Sequence, residues 1–185
     1  KLAIGAYLDT NNSGYARVFE FDEYSQYWVQ QGNDVYGEIG SGFSGSSVSL
    51  SGDGYLLAVG NNGVKANELS VENRGNVKIY GYFGNVWYKL SGLYGENKRD
   101  YFGSAVSMST NGKVVAIGAI LHDEKGAVYI YQNFGKTWKL VDKLTSERKG
   151  EMFGSSISLS SNGSRLVVGC HYNTGEKNSV QPVKV

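Results

Sequence analysis

The stretch Tyr101–Ala119, "YFGSAVSMSTNGKVVAIGA", decides the fold because the chain says it more than once. Residues 42–60 read "GFSGSSVSLSGDGYLLAVG", residues 152–170 read "MFGSSISLSSNGSRLVVGC", and the chain opens on "KLAIGA". Aligned on the glycine that ends each "LAIG"-like run, the copies fall at Gly5, Gly60, Gly118 and Gly169, at spacings of 55, 58 and 51 residues. Periods of that length belong to arrays and propellers.

Each copy starts with an alternating run in which Val48/Leu50, Val106/Met108 or Ile157/Leu159 share one face and serines the other. That is a strand of period two. Asp53-Gly54, Asn111-Gly112 or Asn162-Gly163 follows, then a second apolar run. Such pairs predict a type I′ hairpin turn, with positive φ at both central residues. A loop of variable length leads to a third strand after Gly14, Gly75 or Gly126, and a short turn to a fourth marked by Trp28, Trp87 or Trp138. Four antiparallel strands in tandem repeats describe propeller blades. The variable loop holds 8 residues at Ala6–Ser13, 14 at Asn61–Arg74 and 7 at Ala119–Lys125, so insertions collect at one corner of the blade.

The fold expected is therefore all-β, about three and a half four-stranded antiparallel blades of a larger ring. They divide as residues 1–38 (strands two to four of one blade), 39–96, 97–147, and 148–185 (strands one to three of another, with "VQPVKV" as the last strand). Half a ring leaves strand edges and apolar blade faces bare. The remainder is expected from the rest of a longer chain or from further copies of this one. Phe102-Gly103 and Phe153-Gly154 are expected as wedges between blades, with Phe43-Ser44-Gly45 as a version carrying one inserted residue. The tryptophans are read as packing groups.

These motifs, Phe102-Gly103-Ser-Ala-Val, Val115-Ala-Ile-Gly-Ala119 and Gly126-Ala-Val-Tyr-Ile-Tyr131 with their parallels, resemble the FG-GAP repeat, the blade unit of integrin alpha-chain heads and of many surface proteins. The resemblance implies a propeller of about seven blades that serves adhesion or protein interaction outside the cell. Repeats of the integrin type often carry a calcium loop between the first two strands. Here the matching turns hold at most one carboxylate, Asp53, whereas calcium takes six to eight oxygens, so no metal is expected.

Net charge is +1, from 18 basic and 17 acidic residues dispersed along the chain. That balance offers no electrostatic footprint for nucleic acid, and no apolar run is long enough to insert in a membrane as a helix. Cys170 is the only cysteine, read as a small strand-end residue; His122 and His171 are each single in their loops. Nucleophile-elbow, phosphate-loop and dinucleotide motifs are missing, so no catalysis and no cofactor are expected.

A binding role directs attention to the face carrying the interblade and second-to-third-strand loops. Its candidate rim comprises Glu38, Tyr94, Glu96, Arg99, Asp100, Glu147, Arg148 and Glu151, suited to a protein or glycan partner. The 14-residue loop, with Asn61, Asn62, Lys65, Asn67, Glu68, Glu72 and Arg74, is the candidate for specificity. Asn11 and Asn162 head Asn-x-Ser sequons, candidates for glycosylation. The reading is a non-enzymatic structural or adhesive module of a surface or secreted protein. The alternatives are a propeller scaffold in an intracellular or organellar complex, or part of a sialidase-like sugar-processing propeller, since "NFGKTW" at Asn133–Trp138 resembles a degenerate Asp-box turn.

Overall fold

The computed structural model describes residues 1–7, 13–37, 43–63, 74–135 and 137–171. Its strands group by chain order. Blade 1 holds β1 (Leu2–Ala6), β2 (Tyr15–Asp22), β3 (Tyr27–Gln30) and the short β4 (Val35–Tyr36). Blade 2 holds β5 (Ser44–Leu50), β6 (Leu56–Asn61), β7 (Asn76–Phe83) and β8 (Val86–Tyr94), and blade 3 holds β9 (Phe102–Met108), β10 (Val114–Ala119), β11 (Ala127–Asn133) and β12 (Trp138–Thr145). β13 (Ser156–Leu159) and β14 (Leu166–Gly169) begin blade 4; the strand expected at "VQPVKV" lies outside the described residues. Within each sheet, strands pair antiparallel with their sequence neighbours, and β4 returns to pair with the start of β2.

The first hairpin of each blade differs from the two-residue turn expected. Gly54, Gly112 and Gly163 have positive φ, but Asp53, Asn111 and Asn162 do not. Five residues separate β5 from β6, because the side-chain oxygen at the Asp/Asn position accepts the N–H two residues on. Asp53 Oδ1 takes Tyr55 N at 3.0 Å, Asn111 Oδ1 takes Lys113 N at 3.0 Å, and Asn162 Oδ1 takes Ser164 N at 3.0 Å. The hydroxyl of Ser51, Ser109 or Ser160 accepts the N–H at the far end of the turn, at 2.9–3.0 Å. These Asx turns hold each hairpin with local side-chain bonds.

Blades join through three recurring contacts. Serines on the polar side of the first strand reach the next blade: Ser49 Oγ accepts from Met108 N at 2.9 Å, and Ser107 Oγ accepts from Leu159 N at 3.0 Å. Second-strand apolar pairs pack on the preceding blade. Leu57 and Val59 join Ala16, Val18 and Val35 of blade 1, with Ala3 beside them; Val115 and Ile117 join Ala58, Val77 and Ile79 of blade 2; and Val168 joins Ala116 and Val128 of blade 3. Each fully buried leucine or isoleucine in these seams contributes about 1.5–3 kcal/mol. The third contact is the approach of the "LAIG" glycine to the next blade's backbone: a methyl on Gly5, Gly60 or Gly118 would overlap the carbonyl of Gly45, Gly103 or Gly154.

The first copy carries no insertion before β5. Ser44 pairs with Gly14 in the same parallel bridge that joins Phe102 to Gly75 and Phe153 to Gly126. Phe43, Tyr101 and Met152 share a positive φ of 41–58°. Ser44 therefore fills the Phe102 position, buried at 3 % exposure, and Phe43 sits one place earlier with its ring 5.8 Å from Tyr7.

Trp28, Trp87 and Trp138 occupy one position, opposite Phe21, Tyr82 and Asn133. Trp87 is the best enclosed. In blade 1 the fourth strand is interrupted between β3 and β4, and the residues there receive the indole: Nε1 donates to Gln31 O at 2.9 Å, and Trp87 N donates to Asn33 Oδ1 at 2.8 Å.

That interruption is fastened by an ion pair. Arg17 donates through Nε and Nη2 to the two Asp34 oxygens at 2.8 and 2.7 Å, while Gln30 and Tyr36 add donors at 2.8 and 3.1 Å. The Arg17 hydrogen bond, opposed by desolvation, holds the Asp34 carboxyl down at about 2. Its folded value lies below the unfolded value of about 3.9, so the pair stabilises the fold above that pH and is lost as pH falls toward 2. Asp34→Asn is expected to lower stability modestly at neutral pH. In paired denaturant melts the gap from the parent should close between about pH 4 and pH 2.

Candidate binding face

The described loops at residues 95–101, 120–126 and 146–152 lie at the strand ends opposite the Asx turns. At the blade 2–3 corner they are fixed together from inside. Residues 120–126 carry a short 3-10 turn, His122–Glu124, with left-handed backbone at Asp123 (φ 50°) and Glu124 (φ 60°). His122 is buried, and its Nδ1 stands 2.8 Å from Asp100 Oδ2, itself buried at 2 % exposure. The same carboxylate oxygen accepts Asn97 N at 3.0 Å, and Leu121 N donates to Asp100 O at 3.2 Å. Tyr129 OH lies 3.3 Å from Nδ1, and Asp123 Oδ2 lies 3.4 Å from Nε2.

An ion pair lies beside this junction. Lys143 Nζ donates to Glu96 Oε2 at 2.7 Å and lies 5.0 Å over the Tyr129 ring. The Lys143 hydrogen bond keeps the Glu96 carboxyl below the usual carboxylate range. Burial, reinforced by Glu96 and Asp100, pushes the Tyr129 phenol far up, so it remains a neutral donor. The ring of Phe102 meets Tyr129 edge-on at 5.2 Å, which links the loop junction to the interblade seam.

The blade 3–4 corner uses different residues for the same purpose. Ser146 Oγ donates to Glu151 Oε2 and accepts Arg148 N at 3.0 Å. Gly150 N donates to Glu124 O at 2.7 Å and Phe153 N to Lys125 O at 3.0 Å. An exposed Lys149–Glu124 pair at 2.7 Å spans the surface above.

The candidate rim thus divides. Tyr94, Glu96, Arg99, Glu147 and Arg148 are exposed. Asp100 is no rim contact, because its carboxylate is spent inside on His122 and Asn97; Glu151 is half-buried and turned onto Ser146. Glu38 lies outside the described residues, as do Lys65, Asn67, Glu68 and Glu72 of the long loop and Asn11 of the first sequon. Of the remaining loop residues, Asn61 is buried in the sheet, Asn62 is half-buried, and Arg74 is exposed with its carbonyl accepting Phe102 N at 3.2 Å. Asn162 is exposed on the opposite, Asx-turn face. His122 is the single histidine of its loop, and its partner lies 22 residues upstream in another loop, a separation that no local motif spans.

A family model for the FG-GAP repeat matches residues 95–131, the segment that contains the Asp100–His122 junction. A search of curated proteins finds no match. Among solved structures, a candidate 6-phosphogluconolactonase of Bacteroides uniformis is 15 % identical with a TM-score of 0.58, over 87 % of this chain and 42 % of its own. A periplasmic gluconolactonase of Pseudomonas aeruginosa is 14 % identical with a TM-score of 0.56, over 91 % of this chain and 46 % of its own. A protein of Lactobacillus plantarum is 14 % identical with a TM-score of 0.58, over 91 % and 45 %. The chain thus spans less than half the length of these structures. Their names correct the expectation of a chain without catalysis: the architecture is shared with a gluconolactonase, so the missing motifs do not exclude an enzyme. At these identities the likeness establishes the fold. Residues 95–131 carry an FG-GAP repeat, and the chain is an all-β segment of propeller architecture built from four-stranded antiparallel blades.

Proposed function

We propose that this propeller segment is a recognition module of a surface or secreted protein, in a structural or adhesive role, whose loop-bearing face binds a protein or glycan partner. The observation that carries the reading is the buried Asp100–His122 junction, which ties the loop of residues 95–101 to that of residues 120–126 while Tyr94, Glu96 and Arg99, all on or beside the first loop, face solvent. A rim immobilised before binding loses less conformational entropy on association, and Tyr and Arg are the side chains that anchor interfaces. The FG-GAP match over the same loops supports it. The test is retention of immobilised glycans and of whole cells on the chain. Tyr94→Ala with Arg99→Ala should weaken retention about tenfold or more, whereas Lys113→Ala on the Asx-turn face should leave it unchanged. Equal loss from both faces would overturn the reading.

The likeness to lactonases favours a second reading, hydrolysis of a sugar lactone. Incubation with glucono-lactone and its 6-phosphate in a pH-stat decides it: acid release above the spontaneous rate supports hydrolysis, and release at that rate removes it.

A further inference from the structure

The loop corner between blades 2 and 3 carries its charges unevenly. Its described acids are engaged. Glu96 accepts Lys143 Nζ at 2.7 Å, Asp100 is buried on His122, Glu124 pairs with Lys149 at 2.7 Å, and Asp123 Oδ2 lies 3.4 Å from His122 Nε2. The cations are not. Arg74, Lys98 and Arg99 are exposed and Lys125 is half-buried, and none of the four has a carboxylate partner among the described residues. Backbone contacts gather them. Arg74 O accepts Phe102 N at 3.2 Å, at the end of the loop that carries Lys98 and Arg99; Leu121 N donates to Asp100 O at 3.2 Å, and Lys125 N to His122 O at 3.0 Å. A chain of net charge +1 thus presents four unpaired cations at one corner. The backbone there is also strained: Arg99, Tyr101, Asp123 and Glu124 are four of the eight left-handed non-glycine residues among those described. Such conformations persist only where the surrounding structure imposes them, and here the buried Asp100–His122 junction holds Arg99 in place.

We propose that this corner binds a uronate-bearing polysaccharide, with carboxylates on Arg99, Lys98 and Arg74 and a sugar ring on Tyr94. The inference rests on the loop face being the recognition surface and names its partner. Charge complementarity argues for the carboxylate, because a guanidinium fork matches one with two parallel hydrogen bonds and these cations give up no internal partner on binding. The scarcity of apolar surface argues for the sugar. Tyr94, 59 % exposed, is the one large hydrophobic side chain exposed at this corner among the described residues. One ring is enough to stack on a pyranose face, whereas a protein interface is built around an apolar core of several side chains.

Electrophoresis of the chain through gels containing polygalacturonate, or the same polymer with its carboxyls reduced, provides the test. Retardation is expected in polygalacturonate and should fade as salt rises. Arg99→Glu should weaken binding by about a hundredfold or more, and Arg99→Lys, which keeps the charge and loses the fork, by about tenfold. Lys113→Glu makes the same change of net charge on the Asx-turn face and should weaken it less than about twofold. Circular dichroism checks that each variant folds. Equal weakening by Arg99→Glu and Lys113→Glu would overturn the site, since bulk charge alone then explains retention. Equal retardation by both polymers would overturn the carboxylate and leave the loop face as a recognition surface. Tighter binding of polyglutamate than of polygalacturonate would overturn the sugar, and unretarded passage through polygalacturonate would overturn the proposal outright.

Discussion

Gly118→Ala is expected to destabilise the chain by about 3 kcal/mol, read as a fall of about 1 M or more in the urea midpoint at unchanged slope. Gly118 sits in β10 between Ile117 and Ala119, both fully buried, and a Cβ there would overlap the carbonyl of Gly154 in the next blade. A flexible side chain would swing aside, but this neighbour is backbone. It is also pinned, since Gly154 N donates to Gly169 O at 3.2 Å and Ser155 Oγ donates to the same carbonyl at 3.1 Å. Backbone conformation is not the source of the cost, because φ at Gly118 is negative-side and open to any residue. Gly84→Ala isolates the other contribution. Gly84 has φ +57° with nothing near its Cβ, so alanine there meets only the left-handed penalty of about 1 kcal/mol. Equal effects at the two sites would mean that blade contact is not what fixes Gly118.

The repeated glycine explains why so much of the architecture is legible in the sequence. Gly5, Gly60 and Gly118 recur because one close approach recurs, and Ser49 and Ser107 recur because one interblade hydrogen bond does. Alternation and turn residues locate the strands for the same reason: each position answers to one neighbour that every copy shares. What escapes the sequence is whatever one copy solves differently. Asp53, Asn111 and Asn162 promise a type I′ turn, yet a serine at the strand end and the side-chain oxygen together stabilise a longer Asx turn that needs positive φ only at the glycine. Ser44 in the place of Phe102 looks like an insertion until the backbone bridge to Gly14 fixes the register. The candidate face shows the same limit more sharply. Exposed charges and buried ones read alike in a loop, so Asp100 passes for a rim residue beside Arg99 although its carboxylate points inward.

Asp100→Ala is the companion experiment at that face, with an expected loss of about 3 kcal/mol. The substitution takes the acceptor from two donors at once, Asn97 N and the buried imidazole of His122. His122→Ala should cost a similar amount by stranding the buried carboxylate. Because both variants break one interaction, the double variant should fall short of the sum by about 2 kcal/mol. Hydrogen exchange gives the structural readout: faster exchange in residues 96–101 and 120–126, with protection kept in β6 and β7, where neither side chain reaches. Asp100→Asn retains an acceptor oxygen and should lose about 1 kcal/mol. The series separates the rim's chemistry from its rigidity, since Tyr94 and Arg99 stay in place throughout. If recognition depends on a pre-fixed rim, partner retention should fall with Asp100→Ala and largely survive Asp100→Asn. Retention that ignores both variants would leave the exposed side chains as sufficient and the buried junction as a folding device alone.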